Sequence, residues 1–202
     1  LMGEGQLSLS KTMIVVDHDV PPRDFLAVSG AVWRNLDPLE GLHVLAPTAQ
    51  DTLDFTGPSM NTGSRLILLA TRQAAGPRRT RWPPVPPAPR EVHGGILDLA
   101  ALGPAFLVAQ VTAGADRMAV GRALAEHPAT REVLFHVLVS EDVPLRAPRM
   151  ALWGWFTRFD PLHDLHPVRR EIDGNRLKLH APIMIDATWK KGYREPVAFD
   201  PE

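Results

Sequence analysis

The chain has 202 residues, of which 45% are hydrophobic and 22% charged, and its formal net charge is -1. These values fit one large or two small globular domains with a buried core, and the near-neutral charge gives no electrostatic reason to expect nucleic acid as a partner. The sequence contains no cysteine, which excludes disulfides and thiolate chemistry. No secretory signal opens the sequence, and its longest apolar stretch, residues 99–109, is shorter than the ~20 residues of a membrane span. We therefore expect a cytoplasmic protein.

The first part of the chain is predicted to alternate strands and a helix. Thr12 to Val16 is apolar and mostly β-branched, which is typical of a buried strand. A helix is expected to open at Pro21, to place Phe25, Val28, Val32 and Leu36 on its buried face, and to stop at the Asp37-Pro38 phrase. Further strands are predicted at 42–45 and 66–69, with a polar loop from 48 to 58 between them.

The remainder of the chain is predicted to repeat this alternation after a spacer. A proline-rich segment at 83–90 is expected to be an extended linker, and a connecting strand and helix are expected within residues 91–130. Strands at 133–139, 177–179 and 183–185 and a helix at 147–156 follow. The pattern predicts a single mixed α/β (α+β) domain over residues 1–202, layered, with a mixed sheet. Its parts are unit one (10–82), the linker, the connection, unit two (131–190) and a tail (191–202).

The two units share an internal repeat. Residues 16–43 and 139–166 align without a gap at an offset of 123, and ten of these 28 positions are identical, where ordinary composition would give about two. The identical residues include the phrases Asp19-Val20-Pro21 and Asp37-Pro38-Leu39 of unit one. A repeat of this kind is one supersecondary unit used twice. The fold is therefore expected to contain two related strand-helix-strand units, with any chemistry in the residues that differ between them.

Acidic residues follow the first strand of each unit. Asp17 and Asp19 lie at a carboxyl strand end, where ligands often bind in open α/β sheets. Because Asp19 has a repeat counterpart, Asp142, and both precede a Pro-led helix, we favour the hypothesis that they cap those helices.

Lys11 precedes the first strand and has no basic counterpart, since the equivalent position is Leu134. A lone lysine beside a glycine-containing loop can meet a phosphate as a point charge. A solvated lysine at a strand end is the alternative interpretation of the same residue.

Several phrases resemble the C-terminal domain of the UbiD family, whose members are prenylated-flavin-dependent decarboxylases. In unit one the phrases are Ser10-Lys11, Ile14-Val15-Val16-Asp17, Arg23-Asp24-Phe25, Asp37-Pro38, Leu53-Asp54-Phe55 and Gly63-Ser64-Arg65. In unit two they are Phe156-Thr157-Arg158-Phe159-Asp160-Pro161 and Ile185-Asp186-Ala187-Thr188-Trp189-Lys190. Two copies resemble the longer, menaquinone-pathway branch of the family. The family's Gly-Ile-Asp-Ala-Thr phrase reads Ile67-Leu68-Leu69-Ala70-Thr71 here, so unit one lacks its aspartate.

The resemblance implies a part in the non-oxidative decarboxylation of an aromatic or unsaturated carboxylic acid, in ubiquinone or menaquinone biosynthesis. It implies prenylated FMN as cofactor, with Mn and K in the full enzyme, and it places the metal ligands and the catalytic Glu-Arg-Glu set in an N-terminal flavin-binding domain. It assigns no catalytic residue and no metal ligand to this chain, which alone is expected to be inactive. It places Lys11 on the cofactor phosphate and Leu53, Asp54 and Phe55 in a lid on the substrate side.

The resemblance also implies partners. These are the N-terminal domain of the same enzyme, a small aromatic or unsaturated acid, and further copies of the chain in a dimer or hexamer, with peripheral membrane association through a lipophilic substrate. Unit one is then expected to be the catalytic side and unit two to serve packing and assembly.

Two other functions remain open from the sequence. One is a free-standing assembly or binding module of the same fold. The other is a small metal-dependent hydrolase that uses His163, Asp164 and His166, since imidazole and carboxylate groups are metal ligands.

Overall fold

The computed structural model describes residues 9–72, 78–174 and 176–193. The elements of unit one are β1 (Thr12–Val15), α1 (Phe25–Asn35), α2 (Pro38–Gly41), β2 (Leu42–Ala49) and β3 (Thr62–Leu69). The connection contains α3 (Pro89–Val92), β4 (Ile96–Ala101), β5 (Phe106–Val111) and α4 (Arg117–Glu126). The elements of unit two are β6 (Phe135–Ser140), α5 (Pro148–Phe156), α6 (Pro161–Asp164), β7 (Leu165–Asp173) and β8 (Arg176–Ala187).

The strands form two mixed sheets, which confirms the predicted fold class. The first sheet has the order β1-β3-β2, with β1 parallel and β2 antiparallel to β3. The second has the order β4-β5-β6-β8-β7, with three parallel strands, β5, β6 and β8, between two antiparallel edges. Helices between the parallel strands make the crossovers that parallel pairing requires.

The two units have the same topology, as the sequence repeat predicts. In unit one Val15 pairs with Leu69 across the parallel strands, and in unit two Leu138 pairs with Asp186 in the same way. The antiparallel neighbours also correspond, because β2 lies beside β3 as β7 lies beside β8. The β1-β3-β2 sheet of unit one is therefore the structural counterpart of the β6-β8-β7 part of the second sheet.

The prediction that Asp19 and Asp142 cap helices is wrong. The carboxylate of Asp24 caps α1, accepting from the amides of Leu26 and Ala27. The N-cap of α5 is Ala147, without a side-chain hydrogen bond. The reason is that each helix starts about four residues later than its proline suggests, beyond the reach of the earlier aspartate. Asp19 and Asp142 instead bind arginines.

The Asp-Pro phrases begin short helices and do not only end the preceding ones. Asp37 caps α2 and Asp160 caps α6, and each helix has its proline at the first position, where the missing amide proton costs no hydrogen bond. Each short helix then leads directly into an antiparallel strand. This geometry explains why both phrases occur in both units.

One hydrophobic core extends through both units. It includes Leu36 and Leu66 of unit one, Phe106 of the connection, and Trp155 and Ile183 of unit two. The Phe106 ring lies 5.0 Å from that of Trp155. Complete burial of one such side chain contributes about 1.5–3 kcal/mol, so the two units stabilise each other.

Residues 83–88 of the proline-rich segment form neither helix nor strand. Pro89, inside the predicted linker, begins the short helix α3. Among the described residues, no helix combines the length and hydropathy that crossing a membrane requires.

Candidate functional site

The ammonium group of Lys11 lies in a pocket of oxygen atoms at the amino end of β1. It is 2.6 Å from the Asp54 carboxylate and 2.9 Å from the Thr56 hydroxyl. It also donates to the backbone carbonyls of Phe159, at 2.9 Å, and Phe156, at 3.3 Å. The side chain is 11% exposed, so Lys11 is not a solvated strand-end lysine. Because both carbonyls belong to the end of α5 and the residues after it, Lys11 joins the two units.

Burial lowers the pKa of Lys11, and the carboxylates of Asp54, Asp160 and Asp164 oppose that effect. The balance matters because an isolated buried ammonium is costly. The acidic neighbours and the carbonyls together replace the lost hydration. The same surroundings would favour an incoming phosphate only where it takes the place of a carboxylate, since two anions on one ammonium repel each other.

The predicted lid residues form a compact turn over Lys11. Asp54 accepts hydrogen bonds from both the amide and the hydroxyl of Thr56, and Asp51 accepts from the amide of Leu53. The Asp54 side chain is 17% exposed, whereas Leu53 is 87% exposed. The turn therefore directs one carboxylate inward to Lys11 and one apolar side chain outward.

Phe55 attaches the turn to unit two. Its ring lies 4.9 Å from the ring of Tyr193 and 5.9 Å from that of Trp189. These aromatic residues follow β8, so the 51–56 turn of unit one packs against the chain at the end of unit two. Unit two, expected to serve packing and assembly, therefore contributes an aromatic contact to the turn that carries the predicted lid residues.

A second, partly buried ammonium, that of Lys190, lies in unit two near the aromatic contacts of Phe55. It is 3.1 Å from the Asp164 carboxylate and donates to the carbonyls of Asp186, at 2.8 Å, and Arg158, at 3.1 Å. Burial raises the pKa of Asp164, and Lys190 opposes that effect. Burial and the nearby carboxylates, Asp164 foremost, also raise the pKa of the Tyr193 phenol, which stays protonated and able to donate at neutral pH.

The residues of the proposed metal site are bound separately. Nδ1 of His163 is 2.8 Å from Asp160, and Asp164 accepts from the Asp160 amide. His166 lies on β7, in register with Met184. Across residues 9–72, 78–174 and 176–193 no group of three or more His, Asp or Glu residues could hold a metal ion. The hydrolase hypothesis thus has no support in the described part of the chain.

Comparison with known proteins shows a similarity to one family. The family model described as the 3-octaprenyl-4-hydroxybenzoate carboxy-lyase C-terminal domain, UbiD_C, matches residues 1–70. A protein of Chlamydia pneumoniae named as a subunit of 4-hydroxybenzoate decarboxylase is 33% identical over 202 residues, which is all of this chain and 33% of that protein. The chain resembles the C-terminal domain of the UbiD family. It spans about a third of the length of that relative.

Other similarities are more local. A protein of Aeropyrum pernix is 42% identical over 73 residues, covering 36% of this chain and 15% of that protein. Vanillic acid decarboxylase of Sedimentibacter hydroxybenzoicus, in its open form, has 19% identity and a TM-score of 0.44 over 56% of this chain and 27% of that one. That structural likeness is too low to locate a site.

The site can bind and orient, and its donor set fits the phosphate of a flavin under one condition. An ammonium has three protons, and four oxygen atoms, those of Asp54, Thr56 and the Phe156 and Phe159 carbonyls, already lie within 3.3 Å of the Lys11 ammonium. A phosphate fits this ammonium if Asp54 moves away. Sequence reasoning did not find Thr56, Lys190, Trp189 or Tyr193 as members of the site, although Tyr193 is the chain's one tyrosine.

Proposed function

We propose that this chain is the C-terminal part of a UbiD-like decarboxylase that acts on an aromatic or unsaturated carboxylic acid, in quinone biosynthesis. The observation that supports it most is the buried Lys11 ammonium beneath the 51–56 turn, in a chain that resembles this family. The whole enzyme would contain prenylated FMN, with Mn and K bound outside this chain, in an N-terminal flavin-binding domain, and would form a homo-oligomer in the cytoplasm. Its peripheral contact with a membrane would come through a lipophilic substrate.

Lys11 has the role of holding the cofactor phosphate. The carbonyls of Phe156 and Phe159 fix the ammonium and remain bound throughout. The Asp54 carboxylate occupies the remaining side and leaves when a phosphate arrives, because a dianion in the same place gains a stronger charge-assisted bond. When bound, the prenylated flavin supplies the electron sink for loss of CO2, and the chain supplies the position of its phosphate.

Leu53 and Phe55 have the role of covering the substrate. The Phe55 ring is held by Trp189 and Tyr193, so closing the turn excludes water from the space behind it. Leu53 is 87% exposed. Its apolar side chain would contact the substrate acid or the N-terminal domain of the whole enzyme.

The proposal is tested by comparing the whole enzyme with this chain alone. Each is supplied with prenylated FMN and a panel of benzoic and cinnamic-type acids, and CO2 release is measured. We expect turnover only from the whole enzyme, since the catalytic carboxylates lie outside this chain. Decarboxylation by the 202-residue chain, or none by the whole enzyme with any acid of the panel, would contradict the proposal.

A further inference from the structure

A second concave site lies at the opposite end of β1 from Lys11. This arginine recess has a volume of about 410 Å³ and is lined by Asp17 and Asp19, which follow β1, Arg34 and Asn35 of α1, Arg72 after β3, and Arg78, Arg79 and Thr80. Because β1 and β3 are parallel, the recess lies outside their carboxyl ends, where open α/β sheets bind ligands. The Lys11 site lies at the amino end of β1, so the two sites are separate.

The charges in the recess are unbalanced. Arg72 binds both carboxylates: its Nη2 is 2.7 Å from Asp19, and its backbone amide donates to Asp17 at 2.9 Å. The other three guanidinium groups, of Arg34, Arg78 and Arg79, form no ion pair with any residue in the described ranges. Both carboxylates of the recess are thus held by Arg72, and three further guanidinium groups line it without an ion-pair partner among the described residues.

Arg79 is fixed within the recess wall. One of its nitrogens, Nη1, donates to the carbonyls of Trp33, at 3.1 Å, and Leu36, at 2.9 Å, and its guanidinium lies 5.4 Å from the Trp33 ring. Burial lowers the pKa of Arg79. A guanidinium held in this way keeps a preorganised fork of donors, which suits carboxylate and phosphate groups.

Unit two shows the same place filled. Arg158, Asp142 and Trp189 are the counterparts of Asn35, Asp19 and Arg72, because the Trp189 amide donates to Ser140 just as the Arg72 amide donates to Asp17. Arg158 is 2% exposed and forms two bonds to Asp142, at 2.6 and 2.7 Å. It lies 4.8 Å from the Trp189 ring and 5.9 Å from that of Trp153.

Unit one has small residues at the positions that fill the place in unit two. Asn35 stands in place of Arg158, and Gly30 stands in place of Trp153. In unit two, an arginine and aromatic rings of the unit itself fill the space outside the carboxyl ends of the parallel strands. In unit one, that space is open and additional arginines surround it. Unit one therefore differs from unit two in having an open recess at this place, lined by arginines that form no ion pair with a described residue.

We infer that the arginine recess binds a small oxyanion, a phosphate or a carboxylate carried by a metabolite. Its guanidinium groups recognise the anion, and its apolar wall at Val20 and Ala31 accommodates a short carbon skeleton. The inference does not depend on the decarboxylase proposal, since it uses neither Lys11 nor the flavin.

The test is a calorimetric titration of the 202-residue chain with inorganic phosphate and, separately, with succinate, in dilute chloride buffer at neutral pH. The anion that binds more tightly shows whether the natural ligand carries a phosphate or a carboxylate. We expect saturable binding of one equivalent. Arg34→Gln, on an exposed position, is expected to weaken binding about tenfold, the loss of one charge-assisted bond. Arg149→Gln, an exposed arginine of α5, is the matched control and should leave the affinity unchanged.

A filling variant separates a built site from general attraction to positive charge. Asn35→Arg adds a cation but places in the recess the side chain that fills unit two, so binding should be lost although the net charge rises. Saturable binding that is weakened by Arg34→Gln and abolished by Asn35→Arg supports the inference. Absence of saturation with both anions, equal effects of Arg34→Gln and Arg149→Gln, or tighter binding by Asn35→Arg would each overturn it.

Discussion

Two partly buried lysines are each held by carboxylates and by backbone carbonyls. Lys11 meets Asp54 and the Phe159 carbonyl, and Lys190 meets Asp164 and the Asp186 carbonyl. Carbonyls only accept hydrogen bonds, so they hold the ammonium when its carboxylate is exchanged for another anion. A lysine held in this way is suited to binding a phosphate without losing its position.

His136 makes the stability of the protein depend on pH. Its Nε2 donates to the Thr130 carbonyl at 3.0 Å, and its buried Nδ1 has no hydrogen-bond partner among the residues that the structure describes. Burial lowers the pKa of His136 from 6.5 to about 4. The unfolded chain thus binds this proton more readily, and the stabilisation is complete above pH 6.5 and is lost as the pH falls toward 4. The loss is about 3 kcal/mol.

The matched variant is His136→Met, because methionine occupies the equivalent position 13 of unit one. Urea unfolding at pH 7.5 and 4.5 gives the change in the free energy of unfolding for each protein. We expect the free energy of unfolding to change less between the two pH values in the variant than in the unaltered protein. The difference between the two changes is the contribution of His136. An identical pH dependence in both proteins would contradict the assignment.

The sequence predicts Lys11 and the lid residues as site residues, but it does not predict that they contact each other. Lys11 and Asp54 are 43 positions apart, and no local pattern shows that a turn folds back so far. The carbonyls of Phe156 and Phe159 carry no sequence signal, since every residue has a carbonyl. The aromatic partners Trp189 and Tyr193 follow the last strand, where the sequence indicated only a continuation of the family phrase.

For the helices and strands, the residue patterns predict the type of each element better than the residues at which it begins and ends. The repeat predicts the equivalence of α1 and α5, and the apolar runs predict β1, β5 and β6. The strand β4 was not predicted, because Gly94-Gly95 and Asp98 interrupt its apolar pattern. β8 is one strand of 12 residues where two short strands were predicted, since Pro182 interrupts the pattern.

Helix α5 packs closely on the turn before it through a glycine. A Cβ at Gly154 would lie 2.6 and 2.7 Å from the two methyl groups of Val143, a stiff β-branched residue that is 2% exposed. Gly154→Ala should therefore destabilise the protein by about 1–3 kcal/mol through overpacking, in spite of alanine's better helix propensity.

The control is Gly30→Ala in α1, where a Cβ would meet only the flexible end of Arg34, at 3.4 Å. That variant should be neutral or up to about 1 kcal/mol more stable. Thermal unfolding of both variants measures the difference. A Gly154→Ala protein as stable as Gly30→Ala would show that the Val143 contact is not close in solution.

At the scale of the whole molecule, each unit packs its short Asp-Pro helix against the other unit. Helix α2 of unit one contacts β8, and α6 of unit two contacts β3. The contact at α6 is a hydrogen-bond network, in which the buried Asp160 carboxylate accepts from the hydroxyl and the amide of Ser64. The Ser64 hydroxyl in turn accepts from the Leu162 amide at 2.8 Å. Duplication thus produces an interface as well as a second copy.

This interface predicts that the two units unfold together. Ser64→Ala removes the hydroxyl that joins Asp160 and Leu162, and it should lower the free energy of unfolding by about 1–3 kcal/mol. Urea unfolding followed by both far-UV circular dichroism and tryptophan fluorescence should give one coincident transition, shifted in the variant. Ser59→Ala, at an exposed position, is the control. Two separate transitions in the unaltered protein would contradict a shared core.

The central claim, that Lys11 binds the phosphate of a flavin after Asp54 leaves it, is tested most directly by comparing FMN with riboflavin, which lacks the phosphate. Affinities for both are measured in the whole enzyme with Lys11→Ala, with Asp54→Asn, and with the control Lys178→Ala, a lysine of β8 that pairs with Glu40 and Asp173. We predict that Lys11→Ala weakens FMN binding about 10- to 100-fold and leaves riboflavin binding unchanged. Asp54→Asn should strengthen FMN binding alone, and Lys178→Ala should change neither. Equal effects of Lys11→Ala on FMN and riboflavin, or no effect on either, would contradict the claim.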